Sequence, residues 1–190
     1  LDELEKHVLA EVSATKLLEY TKTIAQWPRE SGSAGEKQAM NYIANTLETF
    51  GLAVERLSFE GFMSVPQSAS LQVPSYSDRQ IRSITHSFAV PTSASGLEGE
   101  VIHLELANLR SINPETVRGK IALIDGLASP AVVKLTEELG ILAQIFINDD
   151  YLHNMIVSPI WGTPTPESAR RLPKTPSISI RRDDGQFLKV

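Results

Sequence analysis

Apolar side chains recur every three or four residues through the first 50 positions, which is the period of a helix. Leu4 and Val8 fall on one face of a first predicted helix, and Ser13 is a good N-cap for a second one. The dipeptide Trp27-Pro28 ends that second helix, because proline lacks the amide hydrogen that a helix interior needs. The start of the chain is therefore predicted to be helical.

A stronger helix signal begins at Ser33. Ser33 and Glu36 have the spacing of a capping box, in which the serine hydroxyl accepts from the backbone of Glu36 and the carboxylate reaches back. Gly51 supplies the left-handed residue that ends many helices. The apolar face between these ends consists of Ala39, Ile43, Leu47 and Phe50.

The pattern changes from helical spacing to alternation after Gly51. Alternation over residues 54–59 and 69–73 predicts two strands. Their apolar positions are Val54, Leu57, Phe59, Ala69, Leu71 and Val73. The change of period near Glu60–Gly61 is the predicted boundary between two parts of the chain.

Two short apolar runs flank a predicted helix in the second half of the chain. The runs are Lys120–Asp125 and Leu142–Ile147, and Pro130–Leu139 is the helix. This arrangement is typical of a parallel strand pair covered on both faces and joined by a right-handed crossover. Other predicted elements are a strand at Gly99–Leu106, a helical turn at Asn113-Pro114, a loop at Ser158–Pro176, a strand at Ser177–Ile180 and a helix at Asp183–Val190. The whole pattern predicts an α+β fold.

Composition narrows the classes of protein to which the chain can belong. Its 190 residues can hold one domain, or one domain and a segment of another. The net charge of −5 is dispersed, and Lys and Arg form no stripe with interleaved aromatics, which argues against nucleic-acid binding. No apolar run approaches the ~20 residues that cross a bilayer. The absence of cysteine excludes disulfides and thiolate chemistry.

The four histidines do not predict a metal site. His7, His86, His103 and His153 show none of the spacings of a zinc site, and there is no H-E-x-x-H motif. His7 and His86 are expected to be solvated. His103 falls in a predicted strand and is expected to be partly buried and hydrogen-bonded. No metal ligand and no catalytic residue is assigned in this chain.

One cluster has side chains suited to metal binding or catalysis. Asp149, Asp150 and His153 follow a predicted strand, at the edge where open sheets place ligands. Acidic residues after a strand are more often turn formers, which is also the interpretation given to Asp125. Trp161 lies in the next loop, where it is as consistent with a binding anchor as with a plug over the domain core. Asp149, Asp150, His153 and Trp161 are the candidates for substrate access or binding.

Gly32–Lys37 is superficially similar to a phosphate-binding loop. It departs from the G-x-x-x-x-G-K-[ST] spacing, and a helix precedes it where a strand should be. Helix capping explains these residues without a ligand.

Two separated stretches resemble one family in the right order. The first is similar to the N-terminal signature of the zinc aminopeptidases that include aminopeptidase Y and glutamate carboxypeptidase. It consists of Arg29–Glu36, Ala39, Tyr42-Ile43, Leu47 and Gly51-Leu52. The second, within Gly99–Leu188, resembles a protease-associated (PA) domain. Its motifs are V-R-G-K-I-A-L-I-D-G, E-E-L-G-I-L-A-Q-I-F-I-N-D-D, G-T-P-T-P, P-S-I-S-I and D-G-x-x-L.

The resemblance implies a division of the chain. In that family the N-terminal helices belong to the peptidase domain, and the PA domain is inserted after them. Residues 1–60 are then a segment of the peptidase domain, and residues 61–190 are the PA domain. The implied architecture of the PA domain is a β-sandwich or barrel-like sheet with flanking helices and one βαβ unit.

The resemblance also implies where the chemistry lies. The di-zinc catalytic core comes later in the sequence of such peptidases, and no position here matches one of its ligands. The parent protein is then a zinc exopeptidase with zinc in the catalytic domain, and this chain is a non-catalytic lid, substrate-access or interaction module. Its partners are the catalytic domain in cis and a peptide substrate. The family further implies an extracellular or periplasmic location.

Two other interpretations stay open. A free-standing PA-type module that binds proteins or peptides has the same motifs and no peptidase activity. An independent hydrolase that uses Asp149, Asp150 and His153 is the third. Under the first interpretation the helices pack on a core that this chain lacks, so apolar surface near Leu17, Leu18, Ile43 and Leu47 is expected to be exposed and to favour self-association.

Overall fold

The structure, a computed structural model, describes residues 2–160 and 162–189. The chain divides into two compact units, Leu1–Met63 and Ser64–Val190, called below the helical unit and the sheet unit. Helices form the first, and a five-stranded mixed sheet with flanking helices forms the second. The expected α+β class is confirmed. In the described ranges, no helix is both long and apolar enough to span a bilayer.

Each helix of the helical unit begins where the sequence offers a cap. The helices are α1 (Glu3–Ala10), α2 (Ala14–Ile24) and α3 (Ala34–Thr49). Asp2, Ser13 and Ser33 are the N-caps, and each side chain accepts a hydrogen bond from the backbone amide three residues later. Gly51 follows α3 with a φ of 81°, as expected for the residue that ends a helix.

The capping box at the start of α3 forms differently from its expected pattern. Ser33 Oγ accepts from Glu36 N at 3.1 Å, but the Glu36 carboxylate accepts from Gly32 N at 2.6 Å. Ser33 N is unavailable to it because this amide donates to the carbonyl oxygen of Glu30. The box is therefore shifted by one residue, and Gly32 takes a left-handed φ of 75°.

The turn between α2 and α3 is held by contacts to the backbone. Arg29 Nη1 donates to the carbonyl oxygens of Ile24 and Trp27 at 2.6 and 3.0 Å, so its guanidinium caps the end of α2. Gly35 lies so close to Pro28 that an added Cβ would overlap the carbonyl oxygen of the proline. The residues that resemble the aminopeptidase signature thus have structural roles in this turn.

The helical unit leaves much of its apolar surface exposed. Neither α1 nor α2 buries a residue, and Ala39 and Ala44 are the only buried apolar side chains described in the unit. The largest exposed apolar side chains of the helices are Leu4, Val8, Leu9, Leu17, Leu18 and Met40. Ile43 and Leu47, which were also expected to be exposed, are half-buried.

The two strands expected within residues 54–73 do not form. Leu57 and Phe59 are 80% and 90% exposed, and this part of the chain has no regular secondary structure and no partner strand. Leu71 makes only an isolated bridge with Ile81. The prediction was wrong because an alternating sequence is compatible with any extended chain, whereas a strand also needs a neighbour to take its backbone hydrogen bonds.

The sheet unit is built on one mixed sheet. Its strands are β1 (Ser83–Thr85), β2 (Val101–Leu104), β3 (Ile121–Asp125), β4 (Ala143–Ile147) and β5 (Ser177–Ile180). The order is β1-β5-β4-β3-β2; β2 to β5 are parallel, and β1 is antiparallel to β5. Instead of the expected sandwich or barrel-like arrangement, the described strands form a single sheet with β1 and β2 at its edges.

Two apolar clusters cover the two faces of the sheet. The first lies under the connections between parallel strands, including α4 (Pro114–Val117) and α5 (Pro130–Glu138), and contains Leu109, Val117, Ala122, Ile124, Val133 and Phe146 among others. The second lies under α6 (Arg182–Leu188) and contains Ile81, Leu123, Ile145, Ile147 and Ile180. Successive residues of β3 alternate between the clusters, so this short strand is apolar on both faces.

A polar network is buried beneath α5. Gln144 Nε2 donates to Thr136 Oγ1 at 3.0 Å, and Ser177 Oγ donates to Gln144 Oε1 at 2.7 Å. Gln144, Thr136 and Ser177 are all at most 1% exposed. Because each buried polar atom has a partner, the network fixes the position of α5 over β4 and β5 without a large desolvation cost.

Candidate functional site

The parallel strands β2 to β5 end at the same edge of the sheet, where charged side chains collect. His103 lies near the end of β2, Asp125 ends β3, Asp149 follows β4 and Arg182 follows β5. This is the edge at which open parallel sheets bind ligands. We refer to these four residues, with Lys189 at the end of α6, as the carboxyl-edge cluster.

Asp125 is the centre of the cluster rather than a simple turn residue. Its Oδ2 lies 2.7 Å from His103 Nε2, and both carboxylate oxygens accept from Lys189 Nζ at 2.7 Å. Partial burial tends to raise the pKa of Asp125, but the hydrogen bonds from Lys189 and His103 and their charges outweigh it. The pKa of Asp125 is therefore lowered, which keeps the carboxylate charged.

His103 has the hydrogen bond that was expected from its place in a strand. Its side chain is 35% exposed, and its Nε2 atom is bonded to Asp125. The pair joins the ends of β2 and β3, which are neighbours in the sheet. The identity of the partner carboxylate, 22 residues later, could not be read from the sequence.

The carboxylate of Asp149 is paired with a cation at the start of α6. Its carboxylate forms an ion pair with Arg182, whose backbone amide also donates to the carbonyl oxygen of Asp149 at 3.3 Å. The hydrogen bond to Asp149 raises the pKa of Arg182, and the neighbouring charge of Asp150 adds to the effect. The pair therefore ties the loop after β4 to the start of α6.

Asn148 is a structural residue of this edge that the sequence did not single out. It is 3% exposed, its Nδ2 donates to the carbonyl oxygen of Gly126, and its Oδ1 accepts from His153 N, both at 3.0 Å. Asn148 thus connects the end of β3 with the loop that carries the predicted cluster. Its place directly after a buried strand is the one sequence signal that could have indicated this role.

The other predicted site residues have different surroundings. The side chains of Asp150 and His153 are exposed, and only the backbone of His153 is held, by Asn148. Trp161 lies outside the described residues. The structure therefore places Asp149 in an ion pair, leaves Asp150 and His153 at the surface, and does not join the three side chains in one network within the described ranges.

In the part of the chain that the structure describes, this edge of the sheet holds an open depression and no crevice of the kind found in doubly wound sheets. It has a volume of about 340 Å³ and is lined in part by Asp125, Asn148, Asp149 and Arg182. Strands β2, β3, β4 and β5 follow one another across the sheet in sequence order. Ligand crevices in doubly wound sheets form where the strand order reverses, and the parallel part of this sheet has no such reversal.

His86 is buried, which corrects the expectation that it is solvated. It is 2% exposed; its Nδ1 accepts from Met155 N at 3.3 Å, and its Nε2 lies 3.0 Å from Ser179 Oγ. These contacts require a neutral ring that is protonated on Nε2. Burial lowers the pKa of His86 to about 4. The partners lie 69 and 93 positions away in the chain, so local sequence gave no sign of them.

The described residues do not fit a zinc site. No group of three or more His, Asp or Glu side chains with the geometry to hold a metal occurs in residues 2–160 and 162–189. The nearest approach is the pair His103 and Asp125, but Lys189 occupies both oxygens of that carboxylate. An ammonium group at this position repels a metal cation.

Comparison with solved structures relates the fold to peptidases. The zinc aminopeptidase BSAP from Bacillus subtilis matches with a TM-score of 0.59 and 23% identity over 90% of this chain. The aminopeptidase from Aneurinibacillus sp. strain AM-1 matches with a TM-score of 0.54 and 19% identity over 93% of this chain. The likeness is one of fold.

The match is limited to part of those proteins. This chain spans 40% of the length of each of the two aminopeptidases. The sequence matches no protein-family model and no curated protein sequence. These two structural neighbours are thus aminopeptidases, of which BSAP is a zinc aminopeptidase, and at these identities the comparison does not by itself transfer their activity.

Proposed function

We propose that this chain is a non-catalytic part of a zinc-dependent exopeptidase. In this proposal the helical unit is a segment of the peptidase domain, and the sheet unit is a PA-type domain that acts as a lid, substrate-access or interaction module. The likeness to two aminopeptidases, one of them the zinc aminopeptidase BSAP, over about 90% of the chain supports the proposal. The catalytic zinc ions then belong to a domain supplied by the remainder of the protein.

The observation that carries the proposal is the exposed apolar surface of the helical unit. Leu17 and Leu18 of α2 are 56% and 53% exposed, and Leu4 and Val8 of α1 are 71% and 57% exposed. Several large apolar side chains that are left exposed on neighbouring turns of a helix often mark an interface. The partner that we propose for it is the catalytic core of the peptidase in cis. Without that core the same surface favours self-association.

The proposal is tested by comparing this chain with a longer protein that includes the coding sequence after Val190. The chain alone is expected to contain near-zero zinc after dialysis, to lack aminopeptidase activity and to bind a hydrophobic dye. The longer protein is expected to contain stoichiometric zinc, to hydrolyse aminoacyl substrates and to bind less dye. Elemental mass spectrometry, a peptidase assay and dye fluorescence provide the three measurements.

A matched pair of variants separates the helical surface from other sources of dye binding. Leu17→Ser with Leu18→Ser removes apolar surface from α2, and Leu97→Ser with Leu106→Ser removes exposed side chains from the sheet unit. Dye binding and self-association by light scattering should fall more in the first pair. A stop codon directly after Val190 would favour the free-standing interaction module instead, and zinc with activity in the chain alone would contradict both readings.

A further inference from the structure

A groove of about 300 Å³ lies in the sheet unit, between α5 and the segment 170–174. Its base is formed by Val133, Val157 and Pro173, which are buried, and half-buried apolar side chains line its sides. None of its lining residues belongs to the carboxyl-edge cluster. Its volume is at the lower end of the range for ligand pockets, roughly 300–1,000 Å³. We call it the α5 groove.

The two walls of the α5 groove are fixed to each other. Glu137 Oε1 accepts from the backbone amide of Lys174 at 2.6 Å and from the amide and hydroxyl of Thr175 at 3.2 and 3.0 Å. Thr175 also takes part in the buried network of Gln144. The groove is therefore a built feature of the fold, because a carboxylate on α5 anchors the opposite wall.

The charges around the α5 groove are mainly positive, although the whole chain has a net charge of −5. Lys134, Arg170, Arg171 and Lys174 line it, against two carboxylates. One carboxylate, Glu137, is already used by backbone amides.

The cations of the groove are largely available to a ligand. Lys134 and Arg170 lie 3.9 and 3.8 Å from single carboxylates and are 69% and 76% exposed, which makes these pairs weak. Arg171 and Lys174 are exposed and form no ion pair with any described residue.

We propose that the α5 groove binds an extended acidic peptide segment that contains apolar residues. The apolar base takes the apolar side chains, and Arg171 and Lys174 pair with carboxylates on the rim. Successive side chains of an extended peptide point to opposite sides, which suits a site with an apolar base and a charged rim. The proposal stands on the groove alone and does not depend on the peptidase assignment.

Charge and shape together favour a peptide over a small inorganic anion. A phosphate ion would pair with one or two cations and leave the apolar base in contact with water. Arginine is also well suited to carboxylates, because its planar guanidinium can bind both oxygens at once. An acidic peptide satisfies the base and the rim simultaneously.

The test measures fluorescence anisotropy with a labelled, end-capped hexapeptide of alternating Glu and Leu. Its counterpart with alternating Lys and Leu has the same apolar content and the opposite charge. The acidic peptide is expected to bind saturably at least about tenfold more tightly, because opposite charges meet at the rim. Raising the salt concentration should weaken its binding, since exposed charges are screened.

Two double variants locate the binding. Arg171→Glu with Lys174→Glu should weaken the acidic peptide at least about tenfold, and Arg171→Gln with Lys174→Gln should have an intermediate effect. Arg82→Glu with Lys16→Glu makes the same change in net charge at exposed positions outside the groove, and it should change the affinity less than about twofold. Amide chemical shifts of residues 133–138 and 170–175 should move on titration.

Several outcomes would overturn the proposal. Equal affinity for the two peptides, or an equal loss in the control variant, would show that the groove does not recognise acidic peptides. Displacement of the peptide by equimolar inorganic phosphate would assign the groove to small anions. A dimer that the peptide dissociates, seen by light scattering, would assign it to a second copy of the chain. Far-ultraviolet circular dichroism of every variant checks that the fold is intact.

Discussion

The helical unit and the sheet unit use their apolar residues in opposite ways. In the sheet unit, Leu123, Ile124 and Phe146 are completely buried in the central strands. In the helical unit, the buried apolar residues among those described are two alanines, Ala39 and Ala44. Both units have regular secondary structure with well-formed caps. The difference therefore lies in packing and not in local structure.

The formation of a helix and its stable packing in the tertiary structure are two separate properties, although the same sequence pattern is used to predict both. A helix needs caps and favourable spacing to form, and α1 and α2 have both. Tertiary packing of the apolar face, however, supplies most of the stability of short helices. We therefore expect the sheet unit to be the stable part of this chain and the helical unit to be marginal by itself.

The largest expected effect is the loss of a core side chain from the sheet unit. Phe146→Ala should lower the free energy of unfolding of the sheet unit by about 3–5 kcal/mol, because Phe146 is 0% exposed and the truncation leaves a cavity. Urea unfolding followed by circular dichroism measures this change. The matched control in the helical unit is Phe59→Ala, at a position that is 90% exposed, and it should change stability by less than about 0.5 kcal/mol. If both variants lost a similar free energy of unfolding, the two units would not differ in packing as described above.

The second effect is a loss of stability in acid that depends on His86. Its pKa in the folded chain is about 4, below the ordinary value of 6.5, so the unfolded chain binds more protons between these two values. Stability should therefore fall as the pH decreases from 6.5 towards 4, and the contribution should level off below that. At 1.36 kcal/mol per pKa unit, the total is about 3 kcal/mol. Urea unfolding at several pH values measures it.

The variant His86→Gln isolates this contribution. Glutamine stays neutral and has both an acceptor and a donor for the positions of Met155 N and Ser179 Oγ. The pH dependence between 6.5 and 4 should be flatter in this variant than in the original chain. An unchanged slope would mean that other groups cause the acid sensitivity. His7→Gln, at an exposed histidine of α1, is the matched control and should leave the slope as it is.

The contrast between the units also explains which elements the sequence predicted. The strand at Ser177–Ile180 and the unit of β3, α5 and β4 were predicted within one or two residues. These strands are covered on both faces, and a strand buried on both faces has a continuous apolar run that can be recognised in the sequence. Residues 54–59 had an alternating pattern as well, but no described strand pairs with their backbone, and most of their side chains are exposed.

The candidate site was predictable only in its location. The sequence placed Asp149 and His153 after a strand, and the structure puts both in the loop after β4. The partners that decide what the side chains do are far away in the chain: Arg182 for Asp149, and Lys189 for Asp125. A local pattern carries no information about contacts that are formed 33 or 64 residues later.

The third prediction concerns the turn of the helical unit. In Gly35→Ala the new methyl group would overlap the carbonyl oxygen of Pro28, so the turn between α2 and α3 must shift. Alanine favours the helix by about 1 kcal/mol, but the clash with the backbone should outweigh this gain and lower the free energy of unfolding by about 2 kcal/mol.

Gly61→Ala is the control, because the atom nearest to its added methyl group is 4.0 Å away in Met63, and it should not change the stability. Thermal unfolding measures both. A more stable Gly35→Ala would show that the turn is not tightly packed.

The smallest expected effect concerns a partly exposed ion pair at the surface of the sheet unit. Lys189→Ala removes both hydrogen bonds from Nζ to Asp125, whose side chain is 51% exposed. Exposed pairs contribute little, so the loss of stability should be below about 1 kcal/mol. The pKa of Asp125 should nevertheless rise, because the hydrogen bond from Lys189 has a larger effect on this pKa than the one from His103, and carboxylate NMR titration measures the change.

Lys120→Ala removes a comparable exposed pair with Glu100 and should leave the pKa of Asp125 unchanged. A fall of several kcal/mol in Lys189→Ala would mean that the carboxyl-edge cluster holds α6 in place, and that burial alone does not set the stability of the unit.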